Sequence, residues 1–419
     1  MTIRSGRVIV VALVVALAAC SSTPGQSESS PAVVSTVAPP ASTTVVAPST
    51  AATVPAEPFP TATFVAIRED PVSEELAAQF QAALEDSAGR DDFAEGGGMT
   101  ATVMTADGTW SGVVGKADGA RDLRVEDQFA IASITKSVVA AQVMSMVEEG
   151  ELGLDDRAAD HLPRDLQFDT NGATIRDLLS HRSGIPDDYE AIHVTLRSDP
   201  SRVWTRADVL GQIPTRRGVA GRSFEYAGTN YLLLGLVIEQ VRGRPVAEVL
   251  RDGVLAIDGM ERLVYQPDEK PTEPMAMPGG ESTAVLELGG GYLPSLAAAS
   301  AFPEAGGIAS DSPSLARWWR AFCAGEIVSQ ASLTEMSAFD PDASDFDGAY
   351  GLGLFNPAHG YTRGTVGHQG ELFGYMSWAA CLPEDGAVIV VLTNRPVHSL
   401  SVELYYGTLR PFVDVLRSG

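Results

Sequence analysis

Strand patterns occur near both ends of this chain, and the segments between them are mainly helical. Short runs typical of strands lie at 100–104, 109–114, 351–355, 366–368, 374–381 and 387–393. Helical periodicity is clearest at 74–87, 134–149, 175–179, 231–241, 245–252, 314–323 and 400–416. We therefore predict a mixed α/β (α+β) fold in which both chain ends contribute to one antiparallel sheet. Helices would flank this sheet, and a helical insertion subdomain would leave a cleft beside it.

The first 68 residues differ in composition from the rest of the chain. Arg4 and Arg7 precede an apolar run, residues 8–17, that is too short to span a bilayer, as in an export signal over residues 1–19. The run continues into Leu-Ala-Ala and Cys20, which resembles the bacterial lipobox, where the cysteine is lipidated; the alternative is a plain cleaved signal peptide. Residues 20–68 are rich in Ser, Thr, Pro and Ala and predict a disordered tether. We expect a folded domain over 69–419, held at the extracytoplasmic face of the cell membrane by Cys20.

Charge and composition exclude several classes of partner. The formal net charge of −25 argues against nucleic acid and against adhesion to an anionic surface. The six histidines show no paired metal-ligand spacing, and we expect neither a metal nor a cofactor. After Cys20 only Cys323 and Cys381 remain, and either a disulfide or two buried thiols fits their apolar surroundings.

A serine and a lysine lie one helical turn apart where the helix at 134–149 begins. The chain has 29 basic residues but only three lysines, and Lys136 follows Ser133 by three positions. Arginine keeps its proton at any useful pH, whereas a desolvated lysine can act as a base beside a nucleophile. The spacing places both side chains on one helix face. The alternative is a capping serine followed by a solvated lysine, so the pair alone is a weak signal.

Two later segments also carry reactive side chains. Tyr226 lies in a loop just before the apolar helix at 231–241, where its hydroxyl could relay a proton; the alternative is an aromatic packed under that helix. His368 stands between glycines ahead of an apolar strand, where a substrate backbone could approach closely. The alternative there is a turn glycine beside a core histidine.

In this order, the three segments resemble the serine β-lactamase and penicillin-binding protein superfamily. They are most similar to its branch of class C β-lactamases, D-alanyl-D-alanine carboxypeptidases and esterases, which carries Ser-x-x-Lys, then Tyr-x-Asn, then Lys/His-x-Gly. The phrases at 174–184, 350–354 and 392–394 also resemble the family, and the likeness covers about residues 72–415. The Gly-x-Ser-x-Gly elbow of the α/β-hydrolases is absent from the chain.

The resemblance implies a β-lactamase/transpeptidase-like fold and a role for each matched residue. Ser133 would form an acyl-enzyme with an ester or amide carbonyl of a small molecule or peptide, and Lys136 would be the general base. Tyr226 would relay protons, and His368 would steady that network. The resemblance also implies an oxyanion hole from the backbone N–H groups of Ser133 and Glu371, with Gly370 and Gly228 among the substrate-contacting positions.

One departure from the family limits the choice of substrate. Gly228 stands where the family has the asparagine of Tyr-x-Asn, and Asn230 matches a later family position. The missing amide normally binds the substrate's amide carbonyl, so the predicted function shifts toward a broader acyl hydrolase, esterase-like or carboxypeptidase-like. A weak β-lactamase is one alternative. A catalytically silent envelope lipoprotein that binds peptidoglycan fragments or a protein is another.

Overall fold

The computed structural model describes residues 57–418, except 92, 94–95, 188, 279–289, 340–348, 357–364 and 396–401. The eight strands among these residues are β1 Gly98–Thr105, β2 Gly108–Gly115, β3 Phe129–Ala130, β4 Val264–Tyr265, β5 Ile308–Ser310, β6 Val366–Leu372, β7 Tyr375–Leu382 and β8 Ala387–Thr393. The helices before the middle of the chain are α1 Thr61–Val65, α2 Glu74–Ala88, α3 Thr135–Glu148, α4 Ile175–Leu179, α5 Tyr189–Ser198 and α6 Arg206–Leu210. The later helices are α7 Gly228–Arg242, α8 Val246–Asp252, α9 Leu296–Ala301, α10 Pro303–Gly306, α11 Ser312–Cys323, α12 Gln330–Met336 and α13 Val402–Arg417.

Both chain ends contribute to one five-stranded antiparallel sheet, as predicted. Its strand order is β2-β1-β8-β7-β6, so the N-terminal hairpin pairs with the last strand of the chain. Every residue of β7 and β8 is buried, because helices cover both faces of the sheet. A second, smaller sheet has the order β3-β5-β4.

Helices pack on the two faces of the large sheet. On one face α2 and α13 bury Phe80, Leu84 and Phe412 against Trp110 and Trp378 of the strands. The other face receives α11, and beyond it the apolar helices α3 and α7 pack on each other in the main core. This main core extends into the helical part of the chain, between β2 and β6. The β-lactamase/transpeptidase-like architecture that was expected is therefore present.

Local sequence explains where several helices begin. Ser73 accepts a hydrogen bond from the backbone of Leu76 (3.2 Å), and two glutamates in the first turn of α2 favour its positive end. Thr174 and Asp177 form a capping box at α4, since each side chain bonds the backbone of the other residue. These caps lie at helix starts that the sequence pattern predicted to within two residues.

Three expectations need correction or completion. The predicted tether reaches too far, because the described residues 57–68 pack on the domain and bury Phe59, Phe64 and Ile67. Residues 351–355 form a turn instead of a strand, since Gly353 has a φ of 70° and Tyr350 pairs with Phe355 in an isolated bridge.

The two open cysteine alternatives resolve as a disulfide. Cys323 at the end of α11 bonds to Cys381 in β7, 58 residues later. The bond therefore ties the helical layer to the large sheet. Cys20 and the export signal lie outside the described residues.

Candidate active site

Ser133 lies in a tight 3₁₀ turn between a strand and a helix. The turn, Ala132–Ile134, follows β3 and leads directly into α3. Ala132 has a φ of 48°, which is left-handed and costs a non-glycine residue about 1–3 kcal/mol. The turn packs against β6, where Gly370 is required: a Cβ there would lie 2.3 Å from the Ile131 carbonyl oxygen and 2.9 Å from the Ala132 Cβ. Ser133 is thus held between the first turn of a helix and the edge strand of the large sheet.

Lys136 is buried and points at the serine. Its Nζ donates to Ser133 Oγ at 3.1 Å and to the Ala305 carbonyl oxygen at 2.7 Å. Burial lowers the pKa of Lys136 from its ordinary value of 10.5 to about 7, although the Asp187 carboxylate opposes the fall. Near neutral pH the amine is therefore partly unprotonated and can take a proton from Ser133.

Tyr226 lies over the same pair. Lys136 Nζ is 4.9 Å from the centre of the Tyr226 ring. Burial raises the pKa of Tyr226 well above its ordinary value of 10, and a hydrogen bond with Ser133 only partly offsets this rise. The phenol consequently keeps its proton at neutral pH, so it can donate that proton and cannot act as a resident base.

His368 lies next to this group but is hydrogen-bonded elsewhere. Its ring centre is 6.4 Å from that of Tyr226, whereas its Nε2 is 3.1 Å from the Tyr350 hydroxyl and its Nδ1 2.6 Å from the Gln369 carbonyl. Burial and the nearby Lys136 lower the pKa of His368 to about 3, so the ring is neutral. It touches the Ser133–Lys136–Tyr226 group by packing, with both ring nitrogens engaged by Tyr350 and Gln369.

A buried hydrogen-bonded chain beyond His368 was not foreseen. The backbone N–H of Ala227 and the side-chain amide of Asn230 both donate to His181 Nδ1, each at 3.1 Å. His181 Nε2 must therefore carry the ring proton and donate to the Tyr350 hydroxyl (3.2 Å), which in turn donates to His368 Nε2. His181 and Tyr350 belong to the phrases at 174–184 and 350–354, so the signal was present in the sequence without an assigned role.

The segment after Tyr226 begins a helix at the position where the family has an asparagine. Gly228 is the first residue of α7, and its N–H donates to Asp187 Oδ2 at 2.5 Å. The N–H of Thr229 donates to Asp187 Oδ1 at 2.8 Å, so this carboxylate caps the helix. Asn230 is engaged by His181 and by the Ser183 hydroxyl (2.6 Å), so its amide does not take the place of the family's asparagine at Gly228.

The described part of the chain contains no cluster of three or more His, Cys, Asp or Glu side chains arranged to hold a metal ion. None of its helices is both long enough and apolar enough to cross a membrane.

Comparison with known proteins gives consistent relatives. The profile of the family described as Beta-lactamase matches residues 90–406. The D-aminopeptidase of Brucella anthropi is 28% identical over 254 residues, which are 60% of this chain and 46% of the relative. Penicillin-binding protein 4* of Bacillus subtilis is 29% identical over 151 residues, 35% of this chain and 32% of its own length. The matched regions thus span less than half of these curated relatives.

The fold has close structural counterparts. The D-amino acid amidase of Ochrobactrum anthropi SV3, solved with L-phenylalanine amide, superposes with a TM-score of 0.66 at 23% identity. The superposition covers 82% of this chain and 98% of that structure. At this identity the likeness establishes the fold.

Proposed function

The chain belongs to the β-lactamase family of serine hydrolases, and we propose that it hydrolyses an ester or an amide at the cell envelope through an acyl-enzyme on Ser133. The observation that carries the proposal is the fully buried Lys136, whose amine lies 3.1 Å from the Ser133 hydroxyl and has a pKa of about 7. A buried amine without a carboxylate partner is costly, so its retention beside a nucleophile favours a chemical role.

The proposed reaction proceeds in two half-reactions. Neutral Lys136 takes the proton of Ser133 as Oγ attacks the acyl carbon, and the carbonyl electron pair moves to oxygen. Tyr226 donates its proton to the leaving amine or alcohol and regains one from Lys136, and the collapse of the oxyanion expels that group. Water then attacks the acyl-enzyme by the reverse route, which releases the acid and restores Ser133.

The oxyanion is assigned to two backbone N–H groups. Ser133 lies in the 3₁₀ turn that leads into α3, where the helix dipole favours negative charge. Glu371 would supply the second donor from β6, the strand that packs on the serine turn at Gly370. A donor of this kind typically contributes about 3–4 kcal/mol to the transition state.

Gly228 favours a simple acyl hydrolase over a β-lactamase or carboxypeptidase. The side-chain amide that the family uses for a substrate amide carbonyl is missing there, while Ser133, Lys136 and Tyr226 are in place. An ester needs less assistance than an amide, because an alcohol leaves more readily than an amine. The named D-aminopeptidase relative keeps an amide substrate within the proposal.

Active-site labelling tests the nucleophile. The purified protein is treated with a fluorescent fluorophosphonate or a fluorescent penicillin, and the modified residue is located by mass spectrometry. We expect fluorophosphonate on Ser133, no labelling of Ser133→Ala, and at most slow labelling by penicillin. Ser145→Ala is the matched control, because Ser145 lies on the same helix and bonds only Glu149 (3.1 Å). Adducts that survive Ser133→Ala would overturn the assignment.

The second candidate is a silent envelope lipoprotein that binds peptidoglycan fragments or a protein, and Gly228 is the observation that favours it. Here no probe would label Ser133, and muropeptides would bind equally to the wild type and to Ser133→Ala. Turnover of p-nitrophenyl acetate that depends on Ser133 would exclude this candidate.

The envelope location is a separate part of the proposal and rests on Cys20. We expect metabolic labelling with an alkyne fatty acid in the wild type and none in Cys20→Ala, which would be released from the membrane. An unlabelled wild-type protein would contradict the lipid anchor without affecting the chemistry at Ser133.

A further inference from the structure

His181 ends helix α4 in a backbone conformation that is unfavourable for a histidine. The helix closes with the two hydrogen bonds of a Schellman motif. The N–H of His181 donates to the Leu178 carbonyl oxygen at 3.3 Å, and the N–H of Arg182 donates to the Asp177 carbonyl oxygen at 2.8 Å. His181 is the left-handed residue of this motif, with a φ of 56°. Glycine usually occupies that position, because a Cβ crowds the backbone there. The end of the helix therefore does not explain why a histidine is present.

His181 holds the residues on both sides of Tyr226. Its carbonyl oxygen accepts the N–H of Glu225 at 2.9 Å, and its ring Nδ1 accepts the N–H of Ala227 at 3.1 Å. The rings of His181 and Tyr226 also pack on each other, with centres 4.3 Å apart and an angle of 36° between their planes. One fully buried residue thus fixes the backbone before and after Tyr226 and contacts one face of its ring.

Neighbouring side chains keep Nδ1 of His181 as a hydrogen-bond acceptor. The Ser183 hydroxyl donates to Asn230 Oδ1 at 2.6 Å, so Asn230 turns its amide nitrogen toward His181 and donates to the same Nδ1 at 3.1 Å. The other ring nitrogen, Nε2, is 3.2 Å from the Tyr350 hydroxyl and carries the ring proton. The tautomer that can accept from the backbone after Tyr226 is therefore fixed from both sides of the ring.

The ring of His181 also stays neutral. Burial lowers the pKa of His181 well below its ordinary value of 6.5, and Lys136 and His368 act in the same direction. A second ring proton would lie on Nδ1, where it would face the N–H of Ala227, another donor. The hydrogen bond from Ala227 is consequently kept near neutral pH.

We propose that His181 is the positioning residue for Tyr226, and that it holds the phenol where it can protonate the leaving group of the acyl transfer. The inference rests on the proposed function, because Tyr226 is the proton donor of that reaction. The phenol has to reach the leaving atom as its bond to the acyl carbon breaks, and a displacement of about 1 Å can cost about 100-fold in rate. A leaving group that needs no proton should be almost insensitive to His181.

Two acetate esters with different leaving groups test this role. p-Nitrophenyl acetate releases a phenolate that leaves without a proton, whereas benzyl acetate releases an alcohol that needs one. The kcat/KM of each ester reports the steps up to the release of that group. His181→Gly removes the ring and suits the left-handed backbone, so the helix end is preserved. We expect His181→Gly to lower kcat/KM about 100-fold for benzyl acetate and no more than about threefold for p-nitrophenyl acetate.

His181→Asn is the conservative variant. Asparagine also occurs in the left-handed position, and its side-chain oxygen can accept the N–H of Ala227 in place of Nδ1. It should keep kcat/KM for benzyl acetate within about fivefold of the wild type. His161→Gly is the matched control, because His161 pairs with Asp156 at the surface (2.9 Å); it should leave both esters unchanged. A loss in His181→Asn as large as that in His181→Gly would refute the hydrogen bond to Ala227.

Substitution of Tyr226 shows whether His181 acts through it. Tyr226→Phe should lower kcat/KM for benzyl acetate at least as much as His181→Gly does, and adding His181→Gly to Tyr226→Phe should cost less than about threefold more. Labelling of Ser133 by fluorophosphonate, whose fluoride leaves without a proton, should stay within about threefold of the wild type in His181→Gly. A full loss in the Tyr226→Phe background, equal losses for the two esters, or abolished labelling would each overturn the proposal.

A measurement without turnover separates this inference from the proposed function. Fluorotyrosine incorporated in place of Tyr226 should give one narrow fluorine NMR resonance in otherwise wild-type protein and in His181→Asn, and a broad or divided one in His181→Gly. If this difference appears but neither ester is hydrolysed through Ser133, the positioning stands and the hydrolase is wrong. If both esters are hydrolysed through Ser133 but His181→Gly changes their rates equally, the hydrolase stands and the positioning is wrong.

Discussion

Replacement of Lys136 by methionine should stabilise the protein at low pH, by an amount that falls as the pH rises. Lys136 is fully buried, with a pKa of about 7 in the folded state against 10.5 in an unfolded chain. Between these two values the unfolded chain binds a proton that the folded protein lacks. The free energy of unfolding therefore increases with pH across this window, and below pH 7 the folded protein carries the full cost of the buried charge.

The magnitude follows from the two pKa values. Their difference corresponds to about 5 kcal/mol of unfolding free energy at acidic pH. Between pH 6 and pH 9 linkage predicts that about 3 kcal/mol of this cost disappears. Methionine has a similar length and no titrating group, so the advantage of Lys136→Met over the wild type should fall by about 3 kcal/mol over that range. The loss of the hydrogen bonds from Lys136 to Ser133 and Ala305 shifts the unfolding free energy of Lys136→Met by a further amount, which is largely independent of pH.

Urea unfolding followed by tryptophan fluorescence provides the assay, because Trp318, Trp319 and Trp378 are all fully buried. Curves at pH 6, 7, 8 and 9 are fitted for the wild type, for Lys136→Met and for Lys116→Met. Lys116 is the matched control, since its side chain is 45% exposed and pairs with Asp122 at the surface. A difference between the wild type and Lys136→Met that does not change with pH would refute the lowered pKa, and with it the role of Lys136 as a neutral base.

Three other outcomes are expected. The kcat/KM for a neutral ester should rise with pH and level off above about 7 as Lys136 loses its proton. In Asp187→Asn the midpoint of this rise should move to lower pH, because a charge that stabilises the ammonium form of Lys136 is gone. An unmoved midpoint would contradict this coupling. Gly228→Asn should speed acylation by fluorescent penicillin about tenfold relative to ester turnover, because the new side chain can add one hydrogen bond to the substrate. An unchanged ratio of the two rates would contradict the role given to Gly228. Loss of the disulfide in Cys323→Ser/Cys381→Ser should lower the free energy of unfolding by up to about 4 kcal/mol, from the entropy of a loop of 58 residues; unfolding curves that coincide with the wild type would contradict it.

The large sheet was predictable because its strands are buried on both faces. The continuous apolar run of β8 and the return of strand patterns near the chain's end identified the sheet and its two-ended origin. The helix that carries Lys136 was equally clear from its apolar residues. In contrast, the turn at 351–355 has strand-like composition, and only the left-handed conformation of Gly353 separates it from a strand.

Parts of the site depend on contacts that leave no local pattern. His368 lies near Tyr226, but its hydrogen bonds go to Tyr350 and Gln369, which three-dimensional packing determines and the sequence does not show. Asp187 was missed because it lies in a loop and acts on groups 41 residues later in the chain. The end of the tether was predicted too late in the chain because residues 57–68 share its Pro, Ala and Thr composition, although Phe64 among them is buried.

The pairing of β1 with β8 also determines when activity can arise during synthesis. The backbone of Gly98 is bonded to the side chain of Asn394, 296 positions later. A ribosome that has completed α11 has already made Ser133 and Lys136, but β6, which closes the serine turn, is still missing. Contacts this distant in sequence form late and slowly. A nascent or truncated chain therefore contains Ser133 without β6, and under the proposed mechanism we expect hydrolysis to begin only when the final strands have been added.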